Sequence, residues 1–340
     1  MIKMLHWGIL GTGNIAAQFA TGMKSARRGS VLAVGSRATE SGEQFARQYH
    51  ISSAYGSYDA LIDNPLVDAI YISLPNSLHH EWTLKSLRAG KHVLCEKPFA
   101  MDLAQSQEMF DVAQKSGKVL MEAFMYRCHP QTAAIVDAVR GGKIGQLQLI
   151  RASFCYRTTK IAGNVRWARD LGGGALMDVG CYCVSLARLI SGEEPGSIDA
   201  SAKFHQSGVD EITTALLQFP SGVQASISCG MSVQADNTAY FCGTEGWIET
   251  AWPWKPQPGK GAYTIARATP PRQDLKTALP IDSPPRQTIK VDVDIDLYAL
   301  EADDFAASVL DAKPPTVSRA ETLGNMRVLD AIRAKIGLTW

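Results

Sequence analysis

The first half of the chain alternates short apolar runs with longer segments in which apolar residues recur every three or four positions. Such runs predict buried strands, and the longer spacing predicts amphipathic helices. The predicted strands are Leu5–Leu10, Val31–Gly35, Ala69–Leu74, His92–Cys95 and Val119–Glu122. The helices between them are Ala17–Ser25, Thr39–His50, Leu78–Ala89 and Leu103–Lys115. Strands that alternate with helices predict a doubly wound parallel sheet in an α/β domain.

After Glu122 the pattern changes to runs that alternate apolar and polar residues, which is typical of antiparallel strands with one solvated face. These runs are Gln146–Arg157, Ser197–Gln206, Glu211–Phe219, Val223–Met231 and Asn237–Ile248. The helices predicted in this half are His129–Val139, Leu297–Leu310 and Arg319–Ile336. The proline-rich segment Ala251–Gln287 is predicted to be irregular, and its Trp252 and Trp254 to pack within a loop.

Two domains are therefore expected, and the length of 340 residues agrees with that number. Residues 1–123 would form the parallel α/β domain. Residues 124–340 would form an α+β domain with a large, open, mostly antiparallel sheet, whose last helices pack back on the first domain.

Composition and charge narrow the functional classes. Hydrophobic residues make up 46% of the chain and charged residues 20%, which is enough for packed cores. The net charge is +1 and the basic residues are scattered, so no nucleic-acid surface is expected. His6 and Gly8 interrupt the apolar N-terminal run, and no run approaches the roughly 20 apolar residues of a membrane helix. We therefore expect a cytoplasmic protein without a membrane partner.

The distribution of cysteine and histidine does not suggest a metal centre. The seven cysteines are irregularly spaced, as is typical of reduced thiols in a cytosolic protein. His79 and His80 are adjacent rather than four residues apart, so they are poorly placed to share an ion. No metal site is expected.

A glycine motif lies between the first predicted strand and its helix. In Gly11-Thr12-Gly13-Asn14-Ile15-Ala16, the first glycine permits a tight turn and the second lets the backbone approach a pyrophosphate. The helix N-terminus offers free amides to the phosphates. The motif predicts a Rossmann-type domain that binds a dinucleotide through Gly11, Thr12, Gly13, Asn14 and Ile15.

The end of the second strand indicates which dinucleotide is bound. An acidic residue there would accept a hydrogen bond from the 2′-hydroxyl of NAD, but this chain has Ser36-Arg37. The fixed donors of an arginine suit a 2′-phosphate, so the sequence favours NADP.

Two further segments carry candidate chemistry. Glu96-Lys97 ends a strand at the same rim of the sheet as the glycine turn, on the side expected for the nicotinamide. In the second domain, Gly172-Gly173-Gly174 leads into a predicted helix that carries Asp178 and Tyr182. Residues four apart share one helix face, so these two side chains are expected together.

Four motifs taken together resemble the glucose–fructose oxidoreductase/inositol dehydrogenase (Gfo/Idh/MocA) family. They are Gly11–Ala16, Leu74-Pro75-Asn76-Ser77-Leu78-His79, Gly90–Pro98 and Gly172–Tyr182. The resemblance implies a pyridine-nucleotide oxidoreductase that acts on sugars or cyclic alcohols. It also implies subunit contacts through the open sheet, in a homodimer or homotetramer.

Site residues follow from the resemblance position by position. Lys97 matches the lysine beside the nicotinamide and the reacting hydroxyl, Glu96 matches its neighbour in the motif, and Asp178 matches the aspartate of the downstream motif. The loop that lines the cofactor is matched by Leu74, Pro75, Asn76 and His79.

Tyr182 replaces the histidine of many family members. It resembles the branch that contains glucose–fructose oxidoreductase, dimeric dihydrodiol dehydrogenase and NADP-linked D-xylose dehydrogenase, and Ser36-Arg37 also suits that branch. The segment Asn164-Val165-Arg166 looks closest to the aldose dehydrogenases, which makes Arg166 a candidate sugar contact.

The expected reaction is NADP-dependent hydride transfer at C1 of an aldopyranose, such as D-xylose or D-glucose, to give a lactone. Tyr182 would be the acid/base, with a pKa lowered by the ammonium of Lys97, and Asp178 would orient the sugar or Lys97. The alternatives are trans-dihydrodiol, anhydrosugar or glucose–fructose chemistry. A non-catalytic, dinucleotide-binding regulator is a further alternative.

Overall fold

The computed structural model describes residues 3–267, 284–291 and 293–340. Its first sheet is parallel, has six strands and follows the order β3-β2-β1-β4-β5-β6. The strands are β1 (Leu5–Leu10), β2 (Gly29–Gly35), β3 (Ser53–Tyr55), β4 (Ala69–Ile72), β5 (His92–Glu96) and β6 (Leu120–Ala123). The strand order reverses beside β1, which opens a crevice at the carboxyl ends of the strands. The predicted doubly wound sheet is confirmed, with β3 as an additional strand.

Helices cover both faces of this sheet, which is why β4 and β6 are buried at every residue. The helices are α1 (Asn14–Gly22), α2 (Thr39–Tyr49), α3 (Tyr58–Ile62), α4 (His79–Arg88) and α5 (Leu103–Ser116). Helix α1 begins directly after Gly13, three residues earlier than predicted, so its first amides point into the crevice.

The second sheet has eight strands in the order β14-β13-β12-β11-β7-β10-β9-β8. The strands are β7 (Leu147–Cys155), β8 (Ser197–Phe204), β9 (Asp210–Gln218), β10 (Gln224–Gly230), β11 (Ala239–Gly243), β12 (Gly246–Thr250), β13 (Ala262–Arg267) and β14 (Arg286–Lys290). Neighbouring strands are antiparallel except for β7 and β10, which pair in parallel. The predicted open, mostly antiparallel sheet is therefore confirmed. Helices α6 (Pro130–Arg140) and α7 (Cys181–Ser191) pack on one side of it.

Two predictions in this half need correction. The run Asn237–Ile248 is not one strand, because β11 and β12 form a hairpin around Thr244-Glu245. The turn residues themselves are not typical turn formers, and the glycines lie on either side of them. The segment Ala251–Gln287 is not irregular throughout, since it contains β13 and the start of β14. Residues 268–283 of that segment lie outside the described residues.

The last two helices are α8 (Leu297–Asp311) and α9 (Arg319–Ile336). Helix α8 packs against α1 and β2 of the first domain, and α9 packs between α5 of the first domain and α7 and β8 of the second. The carboxylate of Asp303 accepts hydrogen bonds from the backbone N–H groups of Arg27 and Arg28, at 3.0 and 2.8 Å. The ring of Phe305 lies 5.1 Å from that of Trp7, centroid to centroid. The end of the chain thus completes the core of the first domain.

Within the described residues, one helical stretch is long and apolar enough to cross a membrane, Arg169–Ser191. Its most apolar window is 94% buried inside the protein. This is the arrangement of a core helix.

Removing the Phe305 ring should strongly weaken the fold. Phe305 is fully buried against Trp7, and a buried Phe→Ala change typically costs about 3–5 kcal/mol. We expect Phe305→Ala to lower the free energy of unfolding in urea by that amount. Leu66→Ala, at a side chain that is 67% exposed, should change it by less than about 0.5 kcal/mol. Equal stability of the two variants would contradict the packing role of α8.

Candidate active site

A cleft of about 480 Å³ runs along the carboxyl ends of the first sheet and reaches the second domain. The predicted site residues that line it are Gly11, Thr12, Gly13, Asn14, Ile15, Ser36, Arg37, Leu74, Pro75, Asn76, Glu96, Lys97, Arg166 and Asp178. His79 and Tyr182 are buried behind its walls. The fold therefore brings the motifs of both domains to one cavity.

The glycine turn has the geometry of a phosphate site. Gly11 has φ +105°, and a Cβ there would lie 3.1 Å from the Ser73 hydroxyl, so a side chain is excluded. Gly13 gives the N-terminus of α1 no side-chain acceptor, and the first turn of α1 contains no acidic residue. The free amides are available to an anion, and these residues fit the pyrophosphate of a dinucleotide.

The part of the cleft around Arg37 contains residues that the sequence did not indicate. Ala38, Ser41 and Tyr58 line it together with Ser36 and Arg37. Burial raises the pKa of Tyr58, and the adjacent charge of Arg37 opposes that rise. Among the described lining residues, the carboxylates are Glu96 and Asp178, which belong to the cluster around Lys97. Hydroxyls and a guanidinium without a carboxylate suit a phosphate group.

At the domain boundary, Asp178 is the centre of a buried polar cluster. Lys97 donates from Nζ to the Asp178 backbone carbonyl at 2.7 Å and to Oδ1 at 3.2 Å. Arg166 donates from Nε to Oδ2 at 2.9 Å. The hydroxyl of Tyr156 donates to the same oxygen at 2.6 Å. One carboxylate thus joins two cations and a phenol.

The charges in this cluster stabilise one another. Burial alone would raise the pKa of Asp178, but Lys97 and Arg166 hold it well below its ordinary value. Burial alone would lower the pKa of Lys97, but the charge of Asp178 raises it above its ordinary value. The charge of Asp178 therefore favours the ammonium form of Lys97, which donates hydrogen bonds and carries a positive charge into the cleft.

The loop that follows β5 is held from behind by buried polar groups. The Lys97–Pro98 peptide bond is cis. Glu96 accepts hydrogen bonds from the Tyr71 hydroxyl and from the backbone N–H of Lys97. Glu122 accepts from the backbone N–H of Phe99 at 3.1 Å, and burial raises the pKa of this carboxyl to about 8. The position of Lys97 thus depends on two buried acids.

His79, which the motif predicts to line the cofactor, lies behind the wall of the cleft. It is fully buried, with Nδ1 2.8 Å from the carbonyl oxygen of Pro98 and Nε2 2.8 Å from that of Leu74. The ring thus fixes the two loops that line the cleft, from behind. Burial lowers its pKa, against the opposing effect of these carbonyls.

Tyr182 also differs from expectation. It is 2% exposed, and its hydroxyl donates to the sulfur of Met125 at 3.4 Å. Leu176–Gly180, which contains Asp178, winds as a π-helical turn, and Tyr182 lies in the first turn of α7. The ammonium of Lys97 lies 5.2 Å from the centre of the Tyr182 ring, over its face. Burial raises the pKa of Tyr182 well above its ordinary value, opposite to the predicted lowering.

Aromatic rings surround Tyr182 and form the wall behind Lys97. Phe124, Phe154 and Trp254 lie within 5.2 to 5.9 Å of its ring, centroid to centroid. Trp254 is 3% exposed and stacks on Phe154, in agreement with the predicted packing role. Trp252 is 61% exposed, so the predicted packing role is wrong for this residue.

Tyr156 is the main functional candidate that the sequence did not indicate. It follows the last residue of β7 and belongs to no recognised motif; its position at a strand end was the available signal.

The glycine at position 173 allows a close approach of two backbone segments. A Cβ on Gly173 would lie 2.4 Å from the carbonyl oxygen of Arg166. The chain passes close enough at that point to place Arg166 beside Asp178.

Comparisons with known proteins match both halves of the chain. The Gfo/Idh/MocA family model, described as "Oxidoreductase family, NAD-binding Rossmann fold", matches residues 5–124, and the model of the GFO/IDH/MocA C-terminal domain matches residues 132–249. D-xylose 1-dehydrogenase (NADP(+)) 2 of Haloferax volcanii is 33% identical over 96% of each chain. Trans-1,2-dihydrobenzene-1,2-diol dehydrogenase of Mus musculus is 38% identical over 74% of this chain and 76% of that enzyme. The solved structure of KijD10, a 3-ketoreductase from Actinomadura kijaniata in complex with NADP and TDP-benzene, has a TM-score of 0.87 and 30% identity over 98% of both chains.

Glu122→Gln should make stability less sensitive to alkaline pH. With a folded-state pKa of about 8, above the ordinary value of 4.5, Glu122 is protonated in the folded protein and ionised in the unfolded chain between these pH values. Its contribution to stability is complete below pH 4.5 and is lost as pH rises to 8, by at most ~1.4 kcal/mol per pH unit. The free energy of unfolding, measured in urea at pH 5 and pH 8, should fall less between these pH values in the variant than in the wild type. The exposed Glu245→Gln control should show no such gain, and a parallel pH dependence of wild type and Glu122→Gln would contradict the assignment.

Proposed function

Because the chain belongs to the Gfo/Idh/MocA oxidoreductase family, we propose that it transfers hydride between C1 of an aldopyranose, such as D-xylose or D-glucose, and NADP. Oxidation would give a lactone. The observation that carries this proposal is the Lys97–Asp178 ion pair, which lies in the same cleft as the glycine turn and Arg37. Members of this family act on CH–OH groups, and Lys97 is placed to hold such a hydroxyl.

The preference for NADP rests on Arg37 and on the hydroxyls of Ser36, Ser41 and Tyr58 around it. A 2′-phosphate would be held there by charge-assisted hydrogen bonds. Two of the similar proteins support the same choice, since the Haloferax enzyme is named for NADP and the ketoreductase was solved with NADP.

A sugar is favoured because the similarity to the xylose dehydrogenase covers 96% of both chains, whereas that to the dihydrodiol dehydrogenase, at a higher identity, covers about three quarters. The inner end of the cleft is polar, with Arg166 and the Asp178 carboxylate exposed to it. Such groups pair with several hydroxyls of a pyranose.

In the proposed mechanism, bound NADP supplies a nicotinamide that accepts hydride from the substrate carbon. Lys97 donates a hydrogen bond to the reacting hydroxyl and lowers its pKa through the ammonium charge. Tyr182 would first lose its own proton to solvent, with the ammonium of Lys97 stabilising the phenolate, and would then receive the proton of that hydroxyl. Its approach requires a rotation away from Met125 and out of the buried position that raises its pKa. Asp178 holds Lys97 in line and keeps it charged. General acid–base catalysis of this kind contributes roughly 10²–10⁴-fold.

Tyr156 is a competing candidate for the acid/base, because its hydroxyl already lies in the cluster, 2.6 Å from Asp178. Burial and the charge of Asp178 raise the pKa of Tyr156, which favours its neutral, donating form. In the role of a positioning residue it would orient Asp178 instead.

Other functions remain alternatives to this proposal. A trans-dihydrodiol, anhydrosugar or glucose–fructose oxidoreductase would use the same cluster with a different substrate. A non-catalytic regulator would bind NADP without turnover.

For the subunit assembly we propose a homodimer or homotetramer through the open sheet, where Leu216 on β9 is 60% exposed.

Replacing the two tyrosines separately should identify the acid/base. We expect Tyr182→Phe to lower kcat for NADP⁺-dependent aldose oxidation at least 10²-fold with an unchanged Kd for NADP⁺. The decrease in kcat should be smaller in Tyr156→Phe than in Tyr182→Phe. The assay follows nicotinamide absorbance with D-xylose, D-glucose and a cyclic trans-diol, with NAD⁺ in parallel. If Tyr182→Phe keeps nearly full activity and Tyr156→Phe loses it, Tyr156 is the acid/base instead. If the wild-type protein binds NADP but turns over none of these substrates, the non-catalytic regulator is favoured.

Arg37→Ala should change the cofactor preference. Loss of a charged hydrogen-bonding partner typically costs about 1.5–3 kcal/mol, so KM for NADP⁺ should rise roughly 10- to 100-fold while KM for NAD⁺ changes little. Initial rates with both cofactors measure this. Arg47→Ala, on the exposed side of α2, is the matched control, and an equal effect on both cofactors in Arg37→Ala would contradict the 2′-phosphate site.

A further inference from the structure

Lys255 projects from a rigid support in the second domain. It lies in Pro253-Trp254-Lys255-Pro256, a stretch whose two prolines restrict the backbone. The neighbouring Trp254 is anchored by stacking on Phe154, at 5.4 Å between ring centroids and 3° between ring planes. The indole N–H of Trp254 donates to the carbonyl oxygen of Ser153 at 2.9 Å. The exposed side chain of Lys255 therefore starts from a fixed position.

From this support the side chain crosses to the first domain. Its ammonium donates to the amide oxygen of Gln18 at 3.2 Å. Gln18 lies on α1, one turn after Asn14, and Asn14 lines the cleft next to the glycine turn. A cation of the second domain thus reaches the helix whose N-terminus opens the phosphate site.

The charge on Lys255 is poorly compensated in this position. Its partner Gln18 is a neutral amide that also accepts a hydrogen bond from the Tyr298 hydroxyl at 3.1 Å. The residue as a whole is exposed, but the protein around its ammonium excludes part of the water, and this desolvation and the charge of Lys97 lower the pKa of Lys255. Glu96 and Asp178 oppose that effect in part. An anion brought into the cleft would therefore be attracted to this ammonium.

We propose that Lys255 is a cofactor-binding residue, which exchanges Gln18 for the diphosphate of the dinucleotide when NADP binds. The inference rests on the proposed NADP function. The amides at the start of α1 would contact the diphosphate from the first domain and Lys255 would contact it from the second, so that the bound cofactor bridges the two domains. The flexible four-carbon stem of a lysine allows this exchange without backbone movement.

The chain provides a matched control in Lys260. This exposed lysine lies in the same segment and also donates to an amide oxygen, that of Gln257, at 3.1 Å. Isothermal titration calorimetry should give Kd for NADPH with wild type, Lys255→Gln, Lys255→Arg and Lys260→Gln. We expect Lys255→Gln to raise Kd about 10-fold, and less at high salt, because a charged hydrogen bond is lost and salt screens its attraction. The other two variants should remain near the wild-type value.

A second ligand locates the contact on the cofactor. Adenosine 2′-monophosphate carries the 2′-phosphate but has no phosphate at the 5′ position and no nicotinamide, so Lys255→Gln should leave its Kd unchanged. An equal loss for both ligands would overturn the assignment to the diphosphate. If Lys255→Gln binds NADPH with the same Kd as the wild type, only the inference about Lys255 is overturned. If the wild-type protein does not bind NADPH, the proposed function is overturned as well.

Discussion

The buried ion pair between Lys97 and Asp178 is the interaction on which the arrangement of the site depends. Lys97 comes from the first domain and Asp178 from the second, so the pair fixes the domains relative to each other at the inner end of the cleft. Taking two charges out of water costs several kcal/mol for each ion, and this is offset only when each charge has further partners. Arg166, Tyr156 and the Asp178 carbonyl provide them here. The cluster is therefore stable as a whole, and loss of one member leaves a buried charge without compensation.

Behind the ion pair, buried polar side chains provide the hydrogen-bond partners that secondary structure would otherwise give to the backbone. The loop after β5 has left the sheet, so its backbone groups need other partners in the interior. Glu122 binds the N–H of Phe99, and His79 lies against the carbonyls of Pro98 and Leu74. These contacts explain why the polar atoms of Glu122 and His79 are occupied by the backbone of the loops rather than free in the cleft. The chemistry is left to the side chains on the cleft side of the same loop.

How well the sequence predicted each residue depends on what fixes its position. Gly11, Arg37 and Lys97 lie directly at strand ends, and the alternation of strands and helices is enough to bring them to one rim. Tyr182 could not be placed in this way, because its burial and its contact with Met125 depend on packing between segments that are 57 residues apart in the sequence. Tyr156 reaches Asp178 through the parallel pairing of β7 with β10, which local patterning does not reveal. The burial of His79 likewise depends on two loops that are far from each other in sequence.

The return of α8 and α9 to the first domain has a consequence for how the molecule can move and be divided. The chain enters the second domain after β6 and returns at α8, so two covalent crossings join the domains. Opening the cleft must bend both crossings at once, which restricts the motion to a hinge about the line between them and prevents a free swivel. For the same reason a fragment that ends at β6 would expose the apolar surface that Phe305 covers. The nucleotide-binding half is thus a spatial unit assembled from both ends of the chain, and an exchange of domains between relatives would have to transfer both pieces together.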